Sequence, residues 1–293
     1  MRKYTISLFI SVISVSFAAI FILSSDAPPL SIAFYRLLFT TLLLLPVVIL
    51  RKKSREHFAS LSFKSIAYIF GVGVVLALHF AFWISSLYKT SVASSVILVT
   101  AHPIMVAPIS HYLFKEKVNA LQVGGILISI LGLIILVTGN YGIEKSTFEG
   151  NLLAILGGAA AGIYILSGRR IRRKVDAIPY AFMVYAMASL VLLILCLLFS
   201  SPLAVGGRNY EIIFLMALVS GIFGHTLYNW VLKYVPAYLV SVSFLGEPIS
   251  SSFLAFIIPW IHQVPSYYTI IGGCMILTGI YLTARYIKTY EEM

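Results

Sequence analysis

Two titratable residues, His102 and Glu247, each precede a proline near the middle of a long apolar run. Glu247 is about 11 residues into its run, which at about 1.5 Å of helical rise per residue places it roughly 16 Å deep, near the centre of a bilayer. Ionisable side chains are costly at that depth and usually serve a function. A carboxyl group there can exchange protons or bind a substrate amine; the structural alternative is a neutral acid hydrogen-bonded to a neighbouring helix.

Four basic side chains also fall inside apolar runs: Arg36, His79, His102 and His225. Histidine changes charge close to neutral pH. His102 can therefore pair with Glu247, donate to a substrate carboxylate or remain a packed neutral ring. His79 and His225 can likewise serve a function or pack as neutral rings. Arg36 can extend to the lipid headgroups, bind an anionic group or hydrogen-bond to helix carbonyls.

Aromatic and amide groups accompany these histidines, namely Trp83, Tyr228 and Asn229. Ring faces with a few hydrogen-bonding groups suit an organic substrate. The prolines Pro103 and Pro248 each remove one helix hydrogen bond, so we expect a kink at each. We also expect the carbonyls of Val99 and Phe244 to be left free, and at membrane depth such groups need a cavity, a water or a side chain.

The two X-Pro pairs are equivalent positions in a duplicated unit. Residues 87–92 align with residues 232–237, and Gly125-x6-Gly132 aligns with Gly272-x6-Gly279. A unit of roughly 145 residues is therefore used twice, an arrangement typical of transporters. We divide the chain into a first repeat, 1–140, a linker, 141–149, and a second repeat, 150–293.

The composition indicates lipid as the solvent. Hydrophobic residues make up 60% of the 293, charged residues 11%, and the mean hydropathy is +0.99, whereas a soluble domain carries about 25% charge. One soluble core cannot bury so many apolar residues in continuous runs. The two cysteines, Cys196 and Cys274, are isolated, so we expect neither a metal site nor a disulfide, and no cofactor is indicated.

Charged residues, prolines and glycines divide the apolar sequence into ten long segments, which predict an all-α integral membrane protein with ten transmembrane helices. They cover approximately 4–25, 29–50, 65–88, 91–114, 119–139, 150–168, 178–200, 210–232, 236–260 and 266–286. The first resembles a signal peptide but is longer than one, so we interpret it as a retained helix. Small-residue stripes such as Gly158-x3-Gly162, Ser220-x3-Gly224 and the repeated glycines of the fifth and tenth helices predict close helix packing.

The basic residues orient these helices. Seventeen of the 21 Lys and Arg fall on the side of the N-terminus and three on the other. The positive-inside rule then places both termini in the cytoplasm, and it explains the net charge of +11 without nucleic acid. Because each repeat has five helices, the second must insert upside down, and we expect two inverted repeats around a central cavity.

In these features the chain resembles the EamA family of the drug/metabolite transporter superfamily over nearly its whole length. The resemblance rests on the ten helices, Arg36, Thr100-Ala101-His102-Pro103, Tyr234-Val235-Pro236-Ala237, Glu247-Pro248, Gly124-Gly125 and Gly272-Gly273. It implies a basket of helices around a cavity, and export of amino acids, metabolites or drugs. The chain departs from the family pattern in two places. The family more often has a threonine or small residue at the position of His102. The acidic signature at the ends of the fourth and ninth helices is kept only in part, as Lys115-Glu116-Lys117 in the first repeat and Trp260-Ile261-His262 in the second.

The sequence thus predicts a multi-pass plasma-membrane transporter that exports small organic metabolites such as amino acids by alternating access, with protons as a candidate coupling ion. The alternatives are a proton-independent facilitator, a channel-like permease and, less favoured, an intramembrane enzyme. The sequence lacks the HExxH, GxGD, GxSxG and P-loop patterns of an enzyme, and it lacks the filter loops of a channel. The expected partners are the lipid bilayer, a small-molecule substrate and protons.

Overall fold

The computed structural model describes residues 2–90, 92–141, 147–257 and 264–285, and within these ranges it is helical apart from short connections. The helices are α1 Arg2–Leu23, α2 Pro29–Leu50, α3 Lys52–Ala59, α4 Phe63–Lys89, α5 Val92–Thr100, α6 Pro103–Phe114, α7 Ala120–Tyr141, α8 Phe148–Ile171, α9 Ala177–Leu198, α10 Gly207–Met216, α11 Leu227–Val231, α12 Ala237–Ser243, α13 Glu247–Ile257 and α14 Tyr267–Ala284. A π-helical segment, Ala217–Thr226, joins α10 to α11, and a 3₁₀ turn, Phe244–Gly246, joins α12 to α13.

Within the described ranges, nine helical segments are long and apolar enough to cross a membrane. They correspond to nine of the ten predicted helices, with α5 and α6 forming the fourth and α10 to α11 forming the eighth. The predicted ninth helix, 236–260, extends past the described residues and is divided between α12, the 3₁₀ turn and α13. The all-helical membrane architecture is therefore confirmed, whereas a count of ten full spans is not reached in this part of the chain.

Short side chains fix where several helices begin. Ser62, Thr147 and Ser266 each accept a hydrogen bond from the backbone N–H three residues later, which satisfies a donor that the first helical turn leaves free. Pro29 opens α2, where its missing N–H costs nothing. These caps place the helix ends near the boundaries expected from hydropathy.

The glycines of α7 and α14 form a reciprocal contact. A Cβ on Gly125 would lie 2.7 Å from the carbonyl of Gly279, and one on Gly279 would lie 2.3 Å from the carbonyl of Gly125; Gly132 and Gly272 show the same mutual approach. Only glycine permits two helix backbones to come so close, so the predicted packing role of these residues is confirmed.

The other small-residue stripes also mark helix contacts. Ser220 in the π-helical segment donates to the carbonyl of Ser14 (2.9 Å), and the carbonyl of Gly224 accepts from Ser11 (2.8 Å), so this segment packs directly on α1. A Cβ on Gly158 in α8 would lie 2.8 Å from the carbonyl of Val99 in α5. Helix α4 also packs on both α8 and α9.

One end of the bundle, which we call the basic end, carries the connections 51–62, 115–119 and 172–176. At this end Glu116, 3% exposed, forms an ion pair with Arg169, 0% exposed, at 2.6 Å between Oε1 and Nε. Arg172 is buried beside them. Burial lowers the pKa of its guanidinium to about 10, and it remains charged at neutral pH because that value is well above 7.

These buried charges were not expected from the sequence, which placed residues 51–64, Glu116 and Arg169 in connections between predicted helices. The structure shows instead that Glu116, Arg169 and Arg172 turn into the bundle. It also shows an additional short helix, α3, whose Phe58 contacts Phe182 of α9 at 6.0 Å between ring centroids.

Candidate functional site

A cavity of about 470 Å³ lies among the helices and extends from the middle of the bundle toward the end opposite the basic end. Ser25, Leu87 and Tyr88 line it at that opposite end. Eight residues were predicted to bind substrate or to couple transport, and six of them line the cavity: His79, Trp83, His102, His225, Tyr228 and Glu247. The predicted kink residue Pro248 also lines it. Arg36 and Asn229 are not among the lining residues.

A break in the predicted fourth helix brings His102 to the cavity. α5 ends at Thr100, and α6 restarts at Pro103, which sits at the first helical position. The backbone N–H of Val106 then donates to the carbonyl of His102 (2.9 Å), which begins the new helix. The helix is therefore interrupted before Pro103, where the sequence predicted a kink, and the Val99 carbonyl lies against Gly158 of α8.

The break before Pro248 has a different form. We expected the Phe244 carbonyl to be free, and this is wrong because the backbone N–H of Glu247 donates to it within the 3₁₀ turn. The tighter turn recovers the hydrogen bond that Pro248 cannot make. Glu247 therefore stands at the first position of α13, with its side chain at the cavity wall.

His102 is joined to the second half of the chain. Its Nδ1 lies 2.6 Å from the hydroxyl oxygen of Ser241 in α12, which is a hydrogen bond across the interior. The partner is therefore Ser241 and not Glu247, the partner considered from the sequence. The bond connects the broken fourth helix to the segment that leads into the 3₁₀ turn.

His79 is held by α8. Its Nδ1 lies 2.9 Å from the carbonyl oxygen of Gly157, and because a carbonyl only accepts, Nδ1 must carry the proton. The ring also stacks on Trp83, with 6.0 Å between centroids and 7° between planes. This arrangement fixes one ring nitrogen of His79 and leaves Nε2 for another contact.

Arg36 lies behind the cavity wall. The residue is 1% exposed, and its guanidinium carbon lies 4.4 Å from the ring centroid of Phe80, which itself lines the cavity. Nη1 and Nη2 make no hydrogen bond with the part of the chain that the structure describes. The guanidinium interacts electrostatically with Glu247. Arg36 does not extend to the headgroups and instead packs on Phe80, behind the cavity wall.

Two cavity-lining rings carry buried nitrogens that have no hydrogen-bond partner among the described residues. They are Nε1 of Trp83 and Nδ1 of His225. His225 packs against Phe80 at 5.5 Å and against Tyr228 at 5.4 Å between ring centroids. The indole N–H of Trp83 can only donate, so it lacks an acceptor among the described residues.

Asn229 belongs to a buried cluster instead of the cavity surface. It is 0% exposed, and its side-chain N–H groups donate to the hydroxyls of Tyr164 (2.8 Å) and Tyr185 (3.2 Å). Tyr164 lines the cavity, so Asn229 supports a wall residue from behind.

Sequence reasoning missed Ser241 and Tyr164. Ser241 is one of several serines in an apolar run, and only its position opposite His102 distinguishes it. Tyr164 lies on the predicted sixth helix, to which we assigned no site residue, and its position six residues after Gly158 gave no sign of the cavity.

The chemistry available to the cavity is narrow. Glu247 is the only Asp, Glu, Lys or Arg among its described lining residues, and the other walls are mainly apolar or aromatic. In the described ranges, no cluster of three or more His, Cys, Asp or Glu is placed to hold a metal ion. The site can bind an organic molecule of moderate size and can exchange a proton or hold a cationic group at one carboxyl.

Comparison with known proteins bears on the family and the fold of the chain. The model of the EamA-like transporter family matches residues 3–138 and 148–285. An uncharacterized transporter of Archaeoglobus fulgidus is 24% identical over 277 residues, covering 92% of each chain, and the uncharacterized transporter YoaV of Bacillus subtilis is 24% identical over 264 residues, covering 88% of this chain and 87% of its own. A protein of known crystal structure has the same fold, with a TM-score of 0.78 at 17% identity, over 97% of this chain and 98% of that chain.

Proposed function

Because the chain belongs to the EamA-like transporter family, we propose that this multi-pass membrane transporter exports small organic metabolites, amino acids among them, in exchange for protons. The family and the apolar helices establish a transporter in a lipid bilayer. The substrate class, the direction of transport, the use of protons and a location in the plasma membrane are the proposal.

The observation that carries the proposal is the position of Glu247, the only Asp, Glu, Lys or Arg among the described lining residues of a mainly apolar and aromatic cavity. A single carboxyl group cannot hold a proton and a substrate ammonium at once. Binding of one therefore displaces the other, which is the minimum requirement for exchange. We assign substrate contacts to His79, Trp83, His102 and Tyr228, and we assign to Arg36 an electrostatic influence on Glu247 from behind Phe80.

We further propose that repeats 1–140 and 150–293, joined by linker 141–149, are inverted relative to each other and exchange roles during alternating access. The reciprocal glycine contacts support this arrangement, because Gly125 meets Gly279 in the way that Gly132 meets Gly272. A two-fold axis between the repeats would produce such a pattern. We place the basic end, and with it both termini, on the cytoplasmic side.

The substitution Glu247→Gln tests the coupling role. We expect it to abolish pH-driven transport of radiolabelled amino acids in proteoliposomes, because the amide neither takes up a proton nor pairs with an ammonium group. Glu211→Gln, in the exposed part of α10, is the matched control and should transport normally. Gel filtration would show that both variants are folded.

Normal pH-driven transport by the Glu247→Gln protein would remove Glu247 from the mechanism. Substrate flux that is unaffected by a pH gradient in the unsubstituted protein would instead favour the proton-independent facilitator. The two outcomes separate the role of the residue from the identity of the coupling ion.

A further inference from the structure

The cavity ends above a set of buried groups that the proposed function does not use. We call them the basic-end cluster: Ser110, Glu116, Arg169 and Arg172, with the backbone groups that they bind. Glu116 accepts a hydrogen bond from Ser110 and another from the backbone N–H of Ala237 (2.9 Å), in addition to its ion pair with Arg169. Every side-chain member is at most 3% exposed.

The cluster lies directly between the cavity and the basic end. On α8, Tyr164 and Ile165 line the cavity, and Arg169 follows Ile165 by four residues, which is about 6 Å along the helix axis. On the eighth predicted helix, Tyr228 lines the cavity, and the backbone carbonyl of the next residue, Asn229, accepts from Nε of Arg172 (2.9 Å). A molecule in the cavity would have to pass these groups to leave at the basic end.

The cluster also joins helix ends that belong to different parts of the chain. Nη1 of Arg169 donates to the carbonyls of Leu232 (2.7 Å) and Lys233 (2.8 Å), just after α11 ends. Glu116 binds the first backbone N–H of α12, at Ala237, where the helix dipole favours an anion. Glu116 follows α6 in the first half, whereas Arg169 and Ala237, which it binds, are in the second half.

The left-handed backbone conformation of Lys115 directs the Glu116 side chain toward the interior of the bundle. Lys115 has φ 58° and ψ 29°, and the backbone N–H groups of both Lys115 and Glu116 point to the carbonyl of Ser110. This turn reverses the chain at the end of α6 and directs the Glu116 carboxylate under the cavity, away from the lysines on either side. The orientation is therefore set by the backbone as well as by the charges.

We propose that the Glu116–Arg169 ion pair is the gate that closes the cavity at the basic end and that it separates when the cavity opens there. The inference rests on the proposed alternating access. The buried pair favours the closed state, because Arg169 binds the carbonyls that follow α11 and Glu116 binds the first N–H of α12, and both contacts require these helix ends to meet as they do here. In the sequence alignment of the two repeats, Trp260-Ile261-His262 corresponds to Lys115-Glu116-Lys117, so the second repeat has no acid at the position equivalent to Glu116.

Access to a cysteine in the cavity tests the gate without a known substrate. Thr100 lines the cavity, so Thr100→Cys, with Cys196 and Cys274 changed to serine, reports whether a membrane-impermeant maleimide enters from a chosen side. Labelling from the basic side should rise at least tenfold when Glu116→Gln is added, while labelling from the opposite side falls. Glu149→Gln, which removes an exposed ion pair with Lys89, should change neither rate.

A folded Glu116→Gln protein that is labelled from the basic side as slowly as its parent would overturn the proposal. If that variant fails to fold, the double variant Glu116→Met with Arg169→Met removes both charges of the pair together and provides the same measurement. Slow labelling of a folded double variant would likewise overturn the proposal. Transport is not the readout, so failure of the gate is distinguishable from failure of the role of Glu247.

Discussion

The two ends of the molecule carry ion pairs of similar length in opposite surroundings. Glu116 and Arg169 meet at 2.6 Å at the basic end, with side-chain exposures of 0% and 1%, whereas Lys89 and Glu149 meet at 2.8 Å at the other end, with exposures of 47% and 67%. From distance alone, the two ion pairs would be expected to contribute equally to stability. Burial makes their contributions different, because water and ions screen the exposed pair while each buried charge depends on its protein partners.

The largest difference should appear when one acid of each pair is neutralised. Glu116→Gln leaves Arg169 buried without its carboxylate and should lower the free energy of unfolding by about 3–5 kcal/mol. Glu149→Gln should lower it by no more than about 1 kcal/mol. Thermal unfolding of the detergent-solubilised proteins measures both changes. Equal losses of unfolding free energy would show that burial does not distinguish the two ion pairs.

Packing at the basic end should show an intermediate effect. A Cβ on Gly125 would lie 2.7 Å from both the Gly279 carbonyl and the Thr283 hydroxyl, whereas one on the adjacent Gly124 would meet no atom within 4 Å. We expect Gly125→Ala to cost about 1–3 kcal/mol of unfolding free energy. Gly124→Ala, the control, should be neutral or stabilising by up to about 1 kcal/mol. A tolerated Gly125→Ala would mean that the helices at this end can move apart freely.

The smallest effect should come from the turn that aims Glu116. Lys115 has a positive φ, which costs an L-residue about 1–2 kcal/mol and a glycine almost nothing. Lys115→Gly should therefore raise the unfolding temperature slightly, by the equivalent of about 1 kcal/mol or less after the larger entropy loss of glycine. Lys117→Gly lacks this benefit because Lys117 has no positive φ. A destabilised Lys115→Gly protein would show that the lysine side chain itself matters at this turn.

Much of the fold could be predicted because the bilayer leaves the backbone few choices. A spanning segment must satisfy its own hydrogen bonds, so hydropathy and proline positions locate helices well. The second helix, predicted at 29–50, is Pro29–Leu50 in the structure. The interruptions at Pro103 and Pro248 were expected for the same reason, although the 3₁₀ turn that satisfies the Phe244 carbonyl was not.

The parts that could not be predicted depend on how each helix is rotated about its axis. Successive residues differ by about 100° around a helix. Tyr228 therefore lines the cavity while Asn229 points into a buried tyrosine cluster. Rotation likewise places Arg36 behind Phe80. Glu116 and Arg169 were assigned to basic loops because hydropathy cannot tell a charge that turns inward at a helix end from one that faces water.

The spacing of the buried ion pair along the chain bears on the order of assembly. Glu116 and Arg169 are 53 positions apart, whereas Glu116 and Ala237 are 121 apart. During synthesis the carboxylate and the guanidinium can meet once the sixth spanning segment has been inserted, before the eighth and ninth exist. The pair would then offer the later helices a preformed anchor, with the carbonyls of Leu232 and Lys233 as the first groups to dock on it.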